Sequence, residues 1–272
     1  MNIWDKPFKK LVLLTGAGIS AESGISTFRD SDGLWEKHRV EDVATPEAYQ
    51  NDPQLVWKFY SMRRLQAAKA APNQAHEALV KFARSLSDAQ EIHLITQNVD
   101  CLHQRADAGE YLSPICMHGS LHQSRCTSCD IIYYDDYAYF DEAGNYAPSQ
   151  TKLCSPEQRA SSEYLHHYKL EYRHFLPLSP CCKSAIRPHI VWFGEMPLQM
   201  EKISRLIESC DVFISIGTSG QVYPAAGFLR ASKIHGAATY CLNKEAIPQN
   251  EWIDEFIQGS AVELVPEFFK SK

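Results

Sequence analysis

The sequence lacks a long apolar segment, an extended run of basic residues and a hydrophobic leader. No apolar run approaches the roughly 20 residues that a helix needs to span a bilayer, so no membrane association is expected. The 27 Lys and Arg residues are outnumbered by 33 Asp and Glu residues, which disfavours a nucleic-acid partner. Residues 1–10 carry charge but no apolar h-region, so we expect no signal peptide and a cytoplasmic protein.

The composition is that of an ordinary globular protein, with 44% hydrophobic and 22% charged residues. A chain of 272 residues is long enough for one large domain with a small companion. Nine cysteines in a chain without an export signal indicate metal or redox chemistry more than disulfides. The sequence gives no indication of the oligomeric state.

The first apolar segment, residues 11–14, is predicted to be a strand buried on both faces of a parallel sheet. Gly16 and Gly18 follow, and glycine lets the backbone turn tightly and approach a phosphate closely. The next glycine is Gly24, so the G-x-G-x-x-G of nicotinamide dehydrogenases is absent, which disfavours that class. Alone, this G-x-G is equally consistent with a tight turn that binds nothing.

Polar or small residues follow three later predicted strands, and open parallel sheets bind ligands at the carboxyl ends of their strands. Each group alone is also consistent with an ordinary loop. His118, which precedes a glycine, has the chemistry of a general base, although such a histidine is more often structural. The groups are Gln97, Asn98 and Asp100 after residues 92–95, Gly217, Thr218 and Ser219 after residues 211–216, and Asn243 with Glu245 after residues 239–242.

Residues 46–71 and 73–86 are predicted to be helical, and Asp52-Pro53 fits an N-cap followed by the first helical position. In the first of these segments, Tyr60 and Arg63 lie three residues apart and project from one face. On their own these two residues are better explained as an exposed pair. His76 on the second helix is interpreted as a packing histidine.

The cysteines fall largely in one region. Cys126 and Cys129 form a C-x-x-C pair, and Cys181 and Cys182 follow after a long polar interval. Four thiolates in two pairs are typical of a closed structural zinc site. The second pair is irregular, so Cys154 is an alternative to Cys181 as the fourth ligand.

Taken together, the motifs occur in the order found in sirtuins, the NAD-dependent protein deacylases, which the chain resembles over nearly its whole length. The resemblance leaves out residues 130–179, which are interpreted as an insertion. Cys101 departs from the family, which more often has glycine or an acidic residue there. The matching segments are 16–25, 27–29, 97–100, 118–119, the C-x-x-C pair, 187–195, 217–219 and 242–243.

The resemblance implies an α/β fold, in which a Rossmann-like parallel sheet carries helices on both faces. It also implies a smaller domain with a helical module and a zinc-binding module. The NAD-binding domain would comprise residues 1–35, 88–120 and 186–272, the helical module 36–87 and the zinc module 121–185. Within the first of these, we expect a last strand at 261–265 followed by a helix.

The resemblance also implies the reaction, in which an acyl group passes from lysine to ADP-ribose and nicotinamide is released. His118 would be the base for a ribose hydroxyl, Asn98 would orient ribose or water, and Asp100 would hold the nicotinamide amide. NAD is then a co-substrate and zinc a single structural ion. The residues implied to bind NAD are Gly16, Ala17, Gly18, Ser20, Ala21, Glu22, Phe28, Arg29, Trp35, Gln97, Asn98, Asp100, His118, Gly217, Thr218, Ser219, Asn243 and Ala261.

Tyr60-x-x-Arg63 resembles the pair that marks class III sirtuins, which remove acidic acyl groups. Succinyl, malonyl and glutaryl would then be preferred over acetyl, because arginine can bind a carboxylate through two hydrogen bonds. An acyl-lysine protein substrate would add a strand beside a short exposed segment. That segment comprises Val191, Trp192, Phe193, Gly194 and Glu195.

Two other functions remain open at this stage. The same bond of NAD would be cleaved in mono-ADP-ribosyl transfer to a protein, which differs only in the acceptor. A binding module that senses NAD or acyl-lysine without turnover is the second, and a sensor would not need a base such as His118.

Overall fold

The computed structural model describes residues 7–25, 34–35, 38–107, 110–134, 139–140, 146–147, 172–173, 176–179, 181–245 and 250–270. The strands are β1 (Lys10–Thr15), β2 (Leu34–Trp35), β3 (His38–Arg39), β4 (Glu91–Thr96), β5 (Ile115–Cys116), β6 (Gly119–Cys126), β7 (Ile132–Tyr134), β8 (Tyr139–Phe140), β9 (Tyr146–Ala147), β10 (Tyr172–Arg173), β11 (Leu176–Pro177), β12 (Ile186–Ile190), β13 (Val212–Ile216), β14 (Ala238–Asn243) and β15 (Glu255–Gln258). The helices are α1 (Val40–Val43), α2 (Pro46–Asn51), α3 (Pro53–Lys69), α4 (Gln74–Ser85), α5 (Leu102–Asp107), α6 (Met200–Ser209), α7 (Phe228–Ile234) and α8 (Ala261–Phe268), with 3-10 turns at Ala17–Ile19, Ala21–Ser23 and Ala225–Gly227.

A six-stranded parallel sheet in the order β15-β14-β13-β1-β4-β5 forms the larger layer. The chain builds outward from β1 through β4 and β5, and then returns to the other side of β1 through β13. The direction of strand order therefore reverses between β1 and β13. In open parallel sheets this reversal opens a crevice at the carboxyl ends of the strands, where ligands bind.

Strand β1 is buried on both faces, as predicted. Leu11 and Leu13 pack on one side with Leu79 of α4 and Val265 of α8. The alternate residues of β1 pack on the other side with α6 and α7, because successive side chains of a strand point to opposite faces. The predicted fold class, a parallel sheet with helices on both faces, is confirmed.

A smaller antiparallel sheet, in the order β12-β6-β7, lies against α2 and α3. The Tyr49 hydroxyl and the Trp57 indole N–H both donate to the carbonyl oxygen of Ile186, at 2.8 and 2.9 Å. Trp57 is fully buried in this contact. The helical and cysteine-bearing segments therefore pack on each other, while the exact domain boundaries stay a prediction.

Two predicted elements differ from the structure, although the predicted cap at Asp52 and Pro53 is confirmed. The helix expected over residues 46–71 is interrupted at Asp52, whose carboxylate caps α3 by accepting from the Leu55 N–H at 2.9 Å. Pro53 follows, and proline disfavours the α conformation in the residue before it. The strand expected at 261–265 is instead the first part of α8, and β15 is the last strand of the sheet.

Among the described residues, the longest helix is α3, and no helix combines the length and apolar composition needed to cross a bilayer.

Candidate active site

The glycine-rich turns after β1 and β13 are in direct contact at the switch point. The Gly18 N–H donates to the Gly217 carbonyl at 2.9 Å. A Cβ on Gly16 would lie 2.7 Å from that carbonyl oxygen, and one on Gly18 would lie 2.7 Å from the Gly217 Cα. Gly217 itself has a φ of +60°, in the left-handed region. The two glycine motifs therefore form one structure, in which each glycine is required by the close approach of the other turn.

A cavity of about 1500 Å³ opens over these turns. Pockets for small ligands commonly measure about 300–1,000 Å³, so this cavity has room for a dinucleotide and a second ligand. Phe28, Arg29 and the side chain of Trp35 lie outside the described residues. The other residues predicted to contact NAD all line the cavity: Gly16, Ala17, Gly18, Ser20, Ala21, Glu22, Gln97, Asn98, Asp100, His118, Gly217, Thr218, Ser219, Asn243 and Ala261.

Sequence reasoning missed several residues that line the same cavity. Each group lies at or after the carboxyl end of β13, β14 or β15, so strand position is the signal that could have identified them. The missed residues are Gln221, Val222 and Tyr223, then Lys244, and finally Gln258, Gly259 and Ser260, whereas Glu245, predicted beside Asn243, also lines the cavity.

Beneath the cavity, Asn98 is fixed by a network of neutral hydrogen bonds. Its side-chain amide donates to the Ser20 hydroxyl and its backbone N–H to the Thr96 hydroxyl, both at 3.1 Å. The Thr15 hydroxyl donates to the Thr96 hydroxyl at 2.9 Å and lies 3.0 Å from Nε2 of His103. Thr15, Thr96 and His103 are all buried. Hydroxyl groups thus set the position of Asn98, and the Ser20 hydroxyl also bonds to the carboxyl group of Asp100.

Asp100 is buried beside this network, and its Oδ1 accepts from the Leu102 N–H at 2.9 Å. Burial raises the pKa of Asp100, and the hydrogen bonds and nearby positive charges, including that of Arg63, offset this only in part. The next residue, Cys101, has a φ of 63°. This conformation favours glycine, so a cysteine here adopts a backbone conformation that is strained for its side chain.

His118 has its tautomer set by the backbone. Its Nδ1 lies 3.1 Å from the Gln97 carbonyl oxygen, which can only accept a hydrogen bond, so Nδ1 carries the proton and Nε2 keeps a lone pair. Burial lowers the pKa of His118, and the bond to Gln97 offsets part of the change. The glycine that follows is required, because Gly119 has a φ of +85° and a Cβ there would lie 2.0 Å from the His189 carbonyl oxygen.

Tyr60 and Arg63 both line the cavity, and the interpretation as an exposed pair is wrong. Tyr60 is 1% exposed and Arg63 6%. The Tyr60 hydroxyl accepts from the Trp192 indole N–H at 3.0 Å. Burial raises the pKa of Tyr60 and the nearby charge of Arg63 opposes this rise, so the phenol stays protonated beside a cation.

All five residues predicted to contact the peptide, 191–195, line the cavity, but they do not continue the strand as expected. Strand β12 ends at Ile190, and the chain then turns at Gly194, which has a φ of +88°. The N–H groups of Val191 and Phe193 already donate to carbonyl oxygens of this chain, at 2.9 and 3.0 Å. The extended segment is therefore shorter than predicted.

Glu195 joins two arginines. Arg187 donates to both oxygens of this carboxylate, at 2.7 and 2.8 Å, and Arg125 donates to one of them at 3.2 Å. The two arginines are register partners in β12 and β6, where like charges repel. Burial raises the pKa of Glu195, but the hydrogen bonds and charges of the arginines outweigh it, so the pKa lies below its usual value. Sequence reasoning missed this role of Arg187, which also stacks 3.4 Å above the Trp192 ring.

The four predicted zinc ligands come together. The sulfur atoms of Cys126 and Cys182 lie 3.3 Å apart and those of Cys129 and Cys181 2.8 Å apart, and all four lie within 4.8 Å of one another. Zn–S bonds of about 2.3 Å in a tetrahedron place sulfurs about 3.8 Å apart. The donor set and spacing therefore fit one structural zinc ion. Cys154 lies outside the described residues.

A parallel sheet with paired glycine turns at its switch point and a large cavity above them defines a dinucleotide-binding α/β protein. Residues 16–224 match the model of the Sir2 family. The chain belongs to the Sir2 family.

Similar proteins include NAD-dependent protein deacylases and a Sir2 homologue of known structure. An NAD-dependent protein deacylase of Yersinia pseudotuberculosis is 45% identical over 97% of this chain and 82% of the relative. A protein of the same name from Pasteurella multocida is 44% identical over 95% of this chain and 96% of the relative. The crystal structure of a Sir2 homologue in complex with NAD is 37% identical, with a TM-score of 0.75 over 96% of this chain and 88% of that one.

Proposed function

We propose that this chain is an NAD-dependent protein-lysine deacylase with a preference for acidic acyl groups. Succinyl, malonyl and glutaryl lysines are its substrates, acetyl-lysine is a weaker one, and the products are nicotinamide and O-acyl-ADP-ribose. The acidic preference rests on one observation, the burial of Tyr60 and Arg63 next to each other in the cavity wall.

The chemistry of this pair suits a carboxylate at the end of an acyl chain. A guanidinium holds a carboxylate through two parallel hydrogen bonds, and a protonated phenol adds a third. Both side chains are shielded from water, where charge-assisted hydrogen bonds are stronger. An acetyl group carries no charge, so it forms no charge-assisted hydrogen bond with Arg63.

The remaining residues have roles that follow from their surroundings. Bound NAD supplies the ribose that accepts the acyl group. His118, with its lone pair on Nε2, takes the proton from a ribose hydroxyl, while Asn98 orients the ribose and Asp100 the nicotinamide amide. The glycine turns hold the phosphates on backbone N–H groups. A base with a fixed tautomer is needed for catalysis and not for binding alone, so His118 supports an enzyme rather than a sensor that binds without turnover.

The test compares succinyl-lysine and acetyl-lysine peptides of the same sequence in the Arg63→Met variant. We expect kcat/KM for the succinyl peptide to fall about 10- to 100-fold, the value of a hydrogen bond to a charged group. Turnover of the acetyl peptide should stay within about threefold. Nicotinamide release measures both reactions.

Lys58→Met on the exposed face of the same helix is the matched control and should change neither activity. His118→Ala should abolish both. An equal loss of both activities in Arg63→Met would contradict the role of Arg63 in recognition of the acyl group.

A further inference from the structure

A second, smaller cavity adjoins the main one on the side of β12. Its volume is about 310 Å³, at the lower end of the range for ligand pockets. Ile190, Val191 and Glu195 line both cavities, so a peptide that runs beside residues 191–195 passes the second one. The other residues that line it are Arg125, His189, Met196 and Leu198.

The charged cluster at this second cavity, formed by Arg125 and Glu195 in its wall and by Arg187 bonded to Glu195, carries an excess positive charge. Glu195 is matched by Arg187, which donates to both carboxylate oxygens. Arg125 is then the second cation on the same carboxylate, through Nη2 at 3.2 Å. Its side chain is 30% exposed, against 7% for that of Arg187.

His189 does not change this balance. Burial lowers its pKa to about 4, and the charges of Arg125 and Arg187 lower it further than Glu195 raises it. The imidazole is therefore neutral at physiological pH and adds no charge to the cluster. The guanidinium of Arg125 has five N–H donors in a planar fork, and Glu195 accepts from one of its nitrogens at a single oxygen.

We propose that the second cavity binds the side-chain carboxylate of an Asp or Glu that flanks the acyl-lysine in the substrate protein, with Arg125 as the residue that recognises it. This inference rests on the proposed deacylase function and adds a preference for the sequence around the modified lysine. The flanking carboxylate at Arg125 is distinct from the carboxylate of the acyl group, which Arg63 on α3 would bind. An uncharged flanking residue leaves the excess charge unmatched, and a basic one is repelled.

The experiment uses a set of succinyl-lysine peptides in which one position at a time, from two residues before to two residues after the lysine, is Glu or Gln. At one position or more, we expect KM for the Glu peptide to be about fivefold lower than for its Gln partner, with similar kcat. The ratio should shrink as salt is raised, because the contact is partly exposed.

Variants of Arg125 test whether this residue causes the difference in KM between the Glu and Gln peptides. Arg125→Gln should bring the ratio of the two KM values to about one, Arg125→Lys should restore part of it, and Arg125→Glu should reverse it. Equal KM values at every position in the unmodified enzyme would overturn the proposal, as would a ratio that persists in Arg125→Gln. If no peptide is turned over at all, the deacylase function itself is refuted, which separates the two failures.

Discussion

The two sides of the main cavity hold their polar groups by different means. The NAD wall, formed by the turns after β1, β4 and β13, uses mainly glycine backbone, hydroxyls and amides, as in the bond from Asn98 to Ser20, and the buried carboxyl group of Asp100 is an exception. The substrate wall, formed by α3 and residues 187–195, uses buried or half-buried charges such as Arg63 and Glu195. Neutral groups can be satisfied by near neighbours, whereas a charge removed from water needs an opposite charge in good geometry.

This difference predicts unequal costs when one partner is removed, and the largest cost is at Glu195. Glu195→Gln would leave the 7%-exposed side chain of Arg187 without its counter-charge. We expect the free energy of unfolding to fall by about 3 kcal/mol, since breaking a buried ion pair leaves an uncompensated charge. Urea denaturation followed by tryptophan fluorescence measures the change.

The matched control is Glu201→Gln on α6, which breaks the exposed ion pair between Glu201 and Arg205. Exposed pairs contribute little to stability, so no measurable change is expected there. Equal effects of the two substitutions would mean that the substrate wall does not depend on its charges.

A smaller cost is expected in the NAD wall, at Thr15. Thr15→Val keeps the shape but removes a hydroxyl that bonds Thr96 and lies 3.0 Å from His103. We expect a loss of about 1–2 kcal/mol, the cost of leaving neutral buried partners unsatisfied. Denaturant unfolding measures it, and Thr15→Ser, which keeps the hydroxyl, should restore part of the loss. A loss as large as that of Glu195→Gln would show that the neutral network is no weaker than the charged one.

The contrast also explains what the sequence could predict. The residues of the NAD wall follow their strands directly, so the buried run before Gly16 and the polar groups after β4 and β13 located them. The substrate wall is assembled by contacts that no local pattern encodes, because Glu195 meets Arg187 eight residues away and Arg125 seventy residues away. For the same reason the burial of Arg63 was not predictable from its helix alone.

The error at residues 261–265 has a local cause. A short apolar run fits both a strand and a helix, and only its neighbours distinguish them. Ser260 and Glu263 form the Ser-x-x-Glu pattern that is typical of a helix start, and their side chains are hydrogen-bonded at 2.7 Å. Ala261 and Val265, four residues apart, are both buried, as expected for one face of a helix.

His118 joins the two walls, and the smallest predicted effect concerns its charge. Its Nδ1 bonds to Gln97 of the NAD wall, and its carbonyl accepts from the Val191 N–H of the substrate wall at 2.9 Å. A base acts only when neutral, and burial lowers the pKa of His118 below its ordinary value. The acidic limb of a plot of kcat/KM against pH, which reports the free enzyme, should therefore lie below about pH 6.5.

Folding must be monitored over the same pH range, because the lowered pKa of His118 makes both activity and the free energy of unfolding decrease as pH falls. A histidine whose pKa is lower in the folded state favours folding above its unfolded pKa, and this contribution is lost as pH falls. His76, whose pKa burial lowers to about 4, acts in the same direction. Circular dichroism separates loss of the fold from protonation of the base. An acidic limb at or above pH 6.5 in folded enzyme would mean that a group other than His118 controls activity.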